Sequence, residues 1–470
     1  MSDLVLQPAV RQLAMLRGGE ISVLELAEAH IAQIERLNPA LNAFADFVAE
    51  RARAEARRMD RSQEPRGPLY GLPVTVKSSI ATAGMRCEIG SLLHKGEVPR
   101  EDAVVVARLR VAGALILGTT NCPEFLMAYE TANLLHGQTR NPWDVERTPG
   151  GSSGGESAAI AAGMSAAGLG SDSGGSVRVP AHFTGICSLK PTPGRVPGRG
   201  HLPACVGPFS ILGAIGPMAR TLQDVALLFR VLAGRDDADA AGAPVVTREV
   251  ALEDAKRIPI GWFEDDGVTP VTEETRQAVR DAAAALEQRG FKVKRYRPAT
   301  LEAARRLWWK FFVQCGEMFY RPTIQGHEHR LSPVFRDFLT IARAAEPLTT
   351  EQLLMAWAEC DVVRGRLLEE MREFPVLLMP VCSVPAFRHG EREWEIDGKQ
   401  VAYLDAMRYT QWFNLLGAPA AVVPVGRSQY GLPIGVQIAG CPYADEDVLA
   451  VAGVIEQVFG YVPPPMAVGA

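Results

Sequence analysis

With 470 residues, 47% of them hydrophobic and 22% charged, the chain can build a large core, and disorder is not expected. Its formal net charge of −5 is small for this length and supplies no broad basic field for a nucleic acid or an anionic membrane surface. A small neutral ligand fits this composition better.

Taken in order, the first forty residues predict two helices. Gly18 and Gly19 stop the first, and Ser22 with Glu25 forms a capping box that starts the second. Leu26, Ala29, Ile34 and Leu37 lean to one side of that helix before Pro39. A strand at 72–77, a helix near 102–112 and a strand at 114–118 follow, then an Ala-rich helix from Gly155 to Met164 entered directly from Ser152 and Ser153. Thr221 and Asp224 open another helix that ends near Ala233. Residues 234–250 are polar, rich in Ala and Gly, and read as a surface connector. Beyond them come a strand from Ile258 to Trp262, a helix at 271–289, a strand at 291–296, and helical sequence crowded with Trp308, Trp309, Phe311 and Phe312. Strands at 376–381, 420–425 and 433–438 close the chain. This alternation predicts an α/β protein with helices on both faces of a sheet. Length alone suggests roughly three domains of about 150 residues.

The N-terminal MSDLVLQPAV has no basic segment followed by an apolar one, so no secretion signal is expected. The apolar stretch from Ala158 to Leu169 is too short to span a bilayer. Eight scattered cysteines without a CxxC pair predict a reduced, cytoplasmic setting.

Two glycine-rich clusters carry the chemistry. The first is Gly151, Ser152, Ser153, Gly154, Gly155; the second is Ser171, Asp172, Ser173, Gly174, Gly175, Ser176. A serine hydroxyl is a poor nucleophile at neutral pH and needs a base beside it and N–H groups to hold the oxyanion it creates. Glycine backbones can aim successive N–H groups at one point without a side chain in the way. Taken singly, such clusters more often serve tight turns or phosphate cradles. Neither ends in the Gly-Lys-Ser/Thr of a phosphate loop, however, and GxGxxG is missing from residues 150–176. Lys77 would ordinarily be a surface residue. Its place after Leu72, Val74 and Val76 instead puts it at the end of a strand, where sheet proteins hold catalytic groups.

The segment GGSSGGESAAIAAGMSAAGLGSDSGGSVRVPAHFTGICSLKPT, residues 150–192, resembles the defining stretch of the amidase signature family. GLPVTVKSSI at 71–80, LGTTNCPEF at 117–125, the Arg140, Asn141, Pro142 turn and GLPIGVQIAG at 431–440 extend the likeness over nearly the whole chain. The resemblance implies one α/β/α layered domain on a large mixed sheet over residues 1–470, with helices in 1–65 packing on it. It implies Ser176 as nucleophile, Ser152 as proton relay and Lys77 as base, with a cis peptide between Gly151 and Ser152. The N–H groups of Ser173, Gly174, Gly175 and Ser176 would form the oxyanion hole, and Ser153 would support the relay. Ser173 stands where relatives more often carry threonine or an apolar residue, which leaves its N–H in place. Asp172 and Arg178 flank the nucleophile as a candidate ion pair, and Leu126, Met127 and Tyr129 fall at positions near the substrate channel.

From these roles we expect an amide hydrolase that works through an acyl-enzyme, without metal or cofactor, on apolar aryl or acyl amides, and on esters or carbamates by the same chemistry. Its partner would be a small-molecule amide, with a homodimer left open. The alternative is the glutaminase subunit of a tRNA-dependent amidotransferase. A metal reading of GHEHR at 326–330 is disfavoured, since His327 and His329 at i and i+2 do not share a face. Cys187 and Lys190 could suggest a cysteine amidase, but the resemblance assigns that cysteine to packing. The Trp308 to Phe312 run reads first as core and second as the best hint of an apolar site.

Overall fold

The computed structural model describes residues 2–62 and 67–468. The end of the expected 1–65 helical segment, residues 63–65, lies outside the described residues. Eleven strands form one sheet: β1 (Phe44–Phe47), β2 (Pro73–Lys77), β3 (Leu115–Thr120), β4 (Ala167–Asp172), β5 (Cys187–Lys190), β6 (Ala214–Ala219), β7 (Ile260–Trp262), β8 (Val293–Arg295), β9 (Val376–Pro380), β10 (Ala420–Arg427) and β11 (Pro433–Gly440). Their spatial order is β1-β3-β2-β4-β6-β5-β10-β11-β9-β7-β8. The sheet is mixed: β3, β2 and β4 run parallel, as do β9, β7 and β8, while antiparallel pairs join them through the middle.

Central strands buried on both faces lose the alternation of a half-exposed sheet. Every residue of β2, β4, β5, β6, β9 and β11 is buried. Helices from both ends of the chain cover the sheet, among them 222–232, 273–288 and 445–459, whose apolar faces join the strands in one core cluster. A second cluster gathers Trp308, Phe311, Tyr409, Trp412 and Phe413 beside the site.

The Ser22–Glu25 capping box forms as expected, with reciprocal hydrogen bonds. The helix it opens does not stop at Pro39 but runs to Leu41, where Asn42 turns out of it at φ 52°. Proline gives up its own N–H bond and crowds the carbonyl four residues back, and with Pro39 in the last turn the helix ends two residues later. Residues 234–250 contain no helix or strand, in keeping with the connector. Strands at 44–47, 167–172, 187–190 and 214–219 were not expected. β4 reads AGLGSD, with two glycines that disfavour a strand on propensity. The tertiary reason is contact. A Cβ on Gly168 would lie 1.9 Å from Glu156 Oε1, and one on Gly170 would lie 2.6 Å from Ser153 Oγ. The helix at 154–161 presses so closely on β4 that side chains there have no room.

Candidate active site

β2 and β4 are parallel neighbours, with Val76 opposite Leu169, so their C-terminal ends reach the same edge of the sheet. Lys77 ends β2, and Ser171 and Asp172 end β4. The chain leaves β4 through residues 173–177 into a helix at 178–184, carrying Ser176 back over that edge. Ser152 arrives from the other side, on the turn before the helix at 154–161. Three segments distant in sequence therefore converge where parallel strands leave an open crevice.

Lys77 Nζ lies 2.7 Å from Ser152 Oγ and 3.1 Å from Ser171 Oγ, and its side chain is fully buried. Burial pushes the amine down to about 8, against the opposing pull of Cys122, Asp172 and Glu156. The Gly151–Ser152 peptide is cis, as the resemblance implies. Ser153 N donates to Ser176 O at 3.2 Å, which ties the two clusters together. Ser152 and Ser176 share one pocket, but no direct hydrogen bond joins their hydroxyls among the described residues. Such contacts are often long in an unliganded site and tighten with substrate.

The Ser153 hydroxyl bonds the Ser171 backbone, at 3.3 Å from its N and 3.4 Å from its O, so it braces β4 rather than contacting the lysine or the two other serines. Asp172 and Arg178 form a bidentate pair at 2.9 and 3.0 Å, both fully buried. Burial raises the Asp172 carboxyl, but the Arg178 guanidinium outweighs it and holds the group well below the usual carboxylate range. Arg178 also reaches Asn414, Gln437 and the Thr410 carbonyl, all from the C-terminal part of the chain. No local signal marks those three residues in the sequence.

Asp172 changes the expected oxyanion hole. The Gly175 N–H donates to Asp172 Oδ1 at 2.8 Å and is therefore not free. The N–H groups of Ser173, Gly174 and Ser176 make no hydrogen bond among the described residues. Three candidate donors remain of the four.

A pocket opens beside Ser152, Ser171 and Ser176. Leu126 and Met127 line it, with Phe125, Phe209, Phe312 and Phe319. Among the described residues that line it, none is Asp, Glu, Lys or Arg. His201 also lines it, pushed down to about 4 by burial and by Lys77, and is neutral at pH 7. Tyr129 departs from expectation: it does not line the pocket, and its hydroxyl donates to Gly174 O at 2.8 Å. Trp308 is fully buried and donates to Ser173 O at 2.9 Å, while Phe312 stacks on it and reaches the pocket. The aromatic run thus serves both core and wall.

Sequence reasoning assigned Ser171 no role. Its place on β4, one residue past Gly170, aims it at Lys77, but a strand hidden by glycines gave no periodicity from which to read that direction. Cys187 meets Glu456 at 3.5 Å, and Lys190 Nζ donates to Pro191 O at 3.0 Å, both away from the pocket. His327 precedes a single-turn 3-10 helix at Glu328–Arg330 and His329 lies within it, both exposed. Among the described residues no group of His, Cys, Asp and Glu could hold a metal ion, and no helix is long and apolar enough to cross a membrane.

An eleven-stranded mixed sheet with a buried lysine and two serine-bearing loops at one edge defines a class, and residues 25–449 match a family model described as Amidase: the chain belongs to the amidase signature family, enzymes acting on amide C–N bonds. One of the subunits of the glutamyl-tRNA(Gln) amidotransferase of Roseiflexus castenholzii is 36% identical, with 94% of each chain covered. A structure from a vestigial protein complex tied to the origins of an s-triazine catabolic enzyme is 30% identical, with TM-score 0.88 over 97% of this chain and 100% of that one. A bacterial aryl acylamidase of the same family is 26% identical, with TM-score 0.86 over 97% and 96%.

Proposed function

We propose that the protein hydrolyses the C–N bond of apolar aryl or acyl amides through an acyl-enzyme on Ser176. The contact of a buried, depressed lysine with Ser152, in the pocket that also holds Ser176, carries the reading. Neutral Lys77 accepts the proton of Ser152, which accepts that of Ser176 as its oxygen attacks the carbonyl carbon. Free N–H groups of the 173–176 loop receive the negative charge. The relayed proton leaves on the amine, and water releases the acyl group by the reverse sequence. Lys77 must be buried for this: an exposed amine near pKa ~10.4 stays protonated at pH 7.

The relatives that are subunits of an amidotransferase support a second reading, a glutaminase subunit working with protein partners, more directly than they support the first. The pocket favours the first. Glutamine brings an ammonium and a carboxylate, and no charged side chain lines the wall to meet them. Enclosing an aromatic ring stabilises a complex by about 2 kcal/mol on area grounds.

The isolated chain should turn over a p-nitroanilide, with glutamine poor or inert. A fluorophosphonate should add once, at Ser176 by peptide mapping, and Ser176→Ala should abolish both labelling and turnover. Faster turnover of glutamine than of any aryl or fatty amide would decide for the amidotransferase reading.

A further inference from the structure

Three consecutive carbonyls of the loop after β4 each have a hydrogen-bond partner. Ser173 O accepts from Trp308 Nε1. Gly174 O accepts from the Tyr129 hydroxyl at 2.8 Å and from that of Thr410, whose single proton lies nearer to Gly174 O, at 2.6 Å, than to its other acceptor Met407 O, at 3.0 Å. Gly175 O accepts from Val179 N at 2.7 Å. All three peptides are trans, so each N–H points opposite to the carbonyl of the same peptide. The Gly174–Gly175 peptide is accordingly gripped at both ends, its carbonyl by Tyr129 and Thr410 and its N–H by Asp172. The peptides on either side carry the unpaired N–H groups of Gly174 and Ser176.

The absence of side chains makes this grip possible. A Cβ on Gly175, whose φ is 121°, would stand 2.4 Å from Thr410 Oγ1, and one on Gly174 would stand 2.7 Å from the Trp308 ring and 3.1 Å from Tyr129 Oη. The two glycines let the hydroxyls close on the carbonyl. Tyr129, Thr410 and Gly174 are all buried.

We propose that Tyr129 and Thr410 are positioning residues for the oxyanion hole: by locking the Gly174–Gly175 peptide they fix the angle between the N–H groups of Gly174 and Ser176. The inference rests on the acyl-enzyme reading above. It gives a helix at 408–416, far beyond the nucleophile in sequence, a specific part in transition-state stabilisation. A misaimed donor costs rate without costing ground-state binding, because the charge it meets develops only in the transition state.

The test compares Tyr129→Phe, Thr410→Val and the double variant with wild type on a p-nitroanilide, with Thr410→Ser as the variant that retains a hydroxyl. A phenylboronic acid serves as the tetrahedral probe. The double variant should lose roughly 10- to 100-fold in kcat, less than the ~10²–10³ of deleting a donor outright. KM should stay within about twofold. The boronate Ki should rise in parallel with the kcat loss, the pH limb should not move, and Thr410→Ser should recover most of the rate. Unchanged kcat, or a loss that follows the fraction of folded protein while boronate affinity per active site holds, would overturn the proposal. A fluorophosphonate separates the two levels: wild type labelled at Ser176 with unmoved variants removes this proposal alone, and an unlabelled wild type removes both.

Discussion

In the proposed mechanism the burial of Lys77 sets the reaction's pH range. Below about 8 its amine carries a proton and cannot accept another, so kcat/KM should rise with pH along a limb centred near that value and then level off. Lys77→Met should remove the limb and lower kcat/KM by about 10²–10⁴. A limb that survives the substitution would point to another base. Asp172 is the opposite case, a charge kept rather than suppressed. Removing one partner of a fully buried ion pair strands the other, at a cost of about 3–5 kcal/mol. Asp172→Asn should therefore lower the urea-unfolding free energy by that amount and loosen the loop whose N–H groups at 175 and 177 it holds. A change below about 1 kcal/mol would mean that Asn414, Gln437 and the Thr410 carbonyl satisfy Arg178 unaided.

The helix at 154–161 works as a spacer between the sheet and the cis peptide that carries Ser152. Its tolerance is small on two sides. On one, Glu156 lies against Gly168 and accepts hydrogen bonds from Thr75 and Thr120, with burial pushing its carboxyl up to about 8. On the other, a Cβ on Gly155 would meet backbone atoms of Asn121 and Ala43 at 2.5 to 2.6 Å. Backbone yields less readily than a side chain, so Gly155→Ala should move the helix and carry Ser152 off Lys77. We expect a loss of about 1–3 kcal/mol from overpacking, together with a fall in kcat larger than Gly453→Ala produces. Gly453 is the control because it lies in the long C-terminal helix with open space at its Cβ position. Equal, small effects at both positions would remove the spacer argument.

Strands from 44–219 form one half of the sheet and strands from 260–440 the other, and β5 at 187–190 pairs with β10 at 420–427 to make them one sheet. The two halves share one core cluster, in which Val74, Leu169 and Val225 join Val279, Val436 and Ile455. Thermal unfolding should accordingly show one cooperative calorimetric transition, as expected for a single folding unit. Two resolved transitions would split the chain into domains after all. The roughly three domains suggested by length follow from a size rule that large α/β proteins exceed.

What the sequence determined by itself was local or chemical. The capping box at Ser22, the helix opened by Thr221, and the strands at 73–77 and 433–440 follow from patterns within a few residues, and local hydrogen bonds and side-chain periodicity are enough to specify them. Lys77, Ser152 and Ser176 could be singled out together because the two glycine clusters and the strand-ending lysine stand in segments that resemble the amidase signature family; each cluster alone reads more readily as a turn. What only the tertiary structure decided depends on contacts that no window of sequence contains. β4 is a strand because neighbours pair with it, despite glycines that exist to admit Glu156 and Ser153. Ser171 faces Lys77 because β2 and β4 are adjacent. The Gly175 N–H is occupied because Asp172 curls back onto it, and Tyr129 turns from the pocket to Gly174 because a buried hydroxyl must find an acceptor. Propensity and spacing act along the chain, whereas the direction of a single N–H or hydroxyl is set by the partner that reaches it through space.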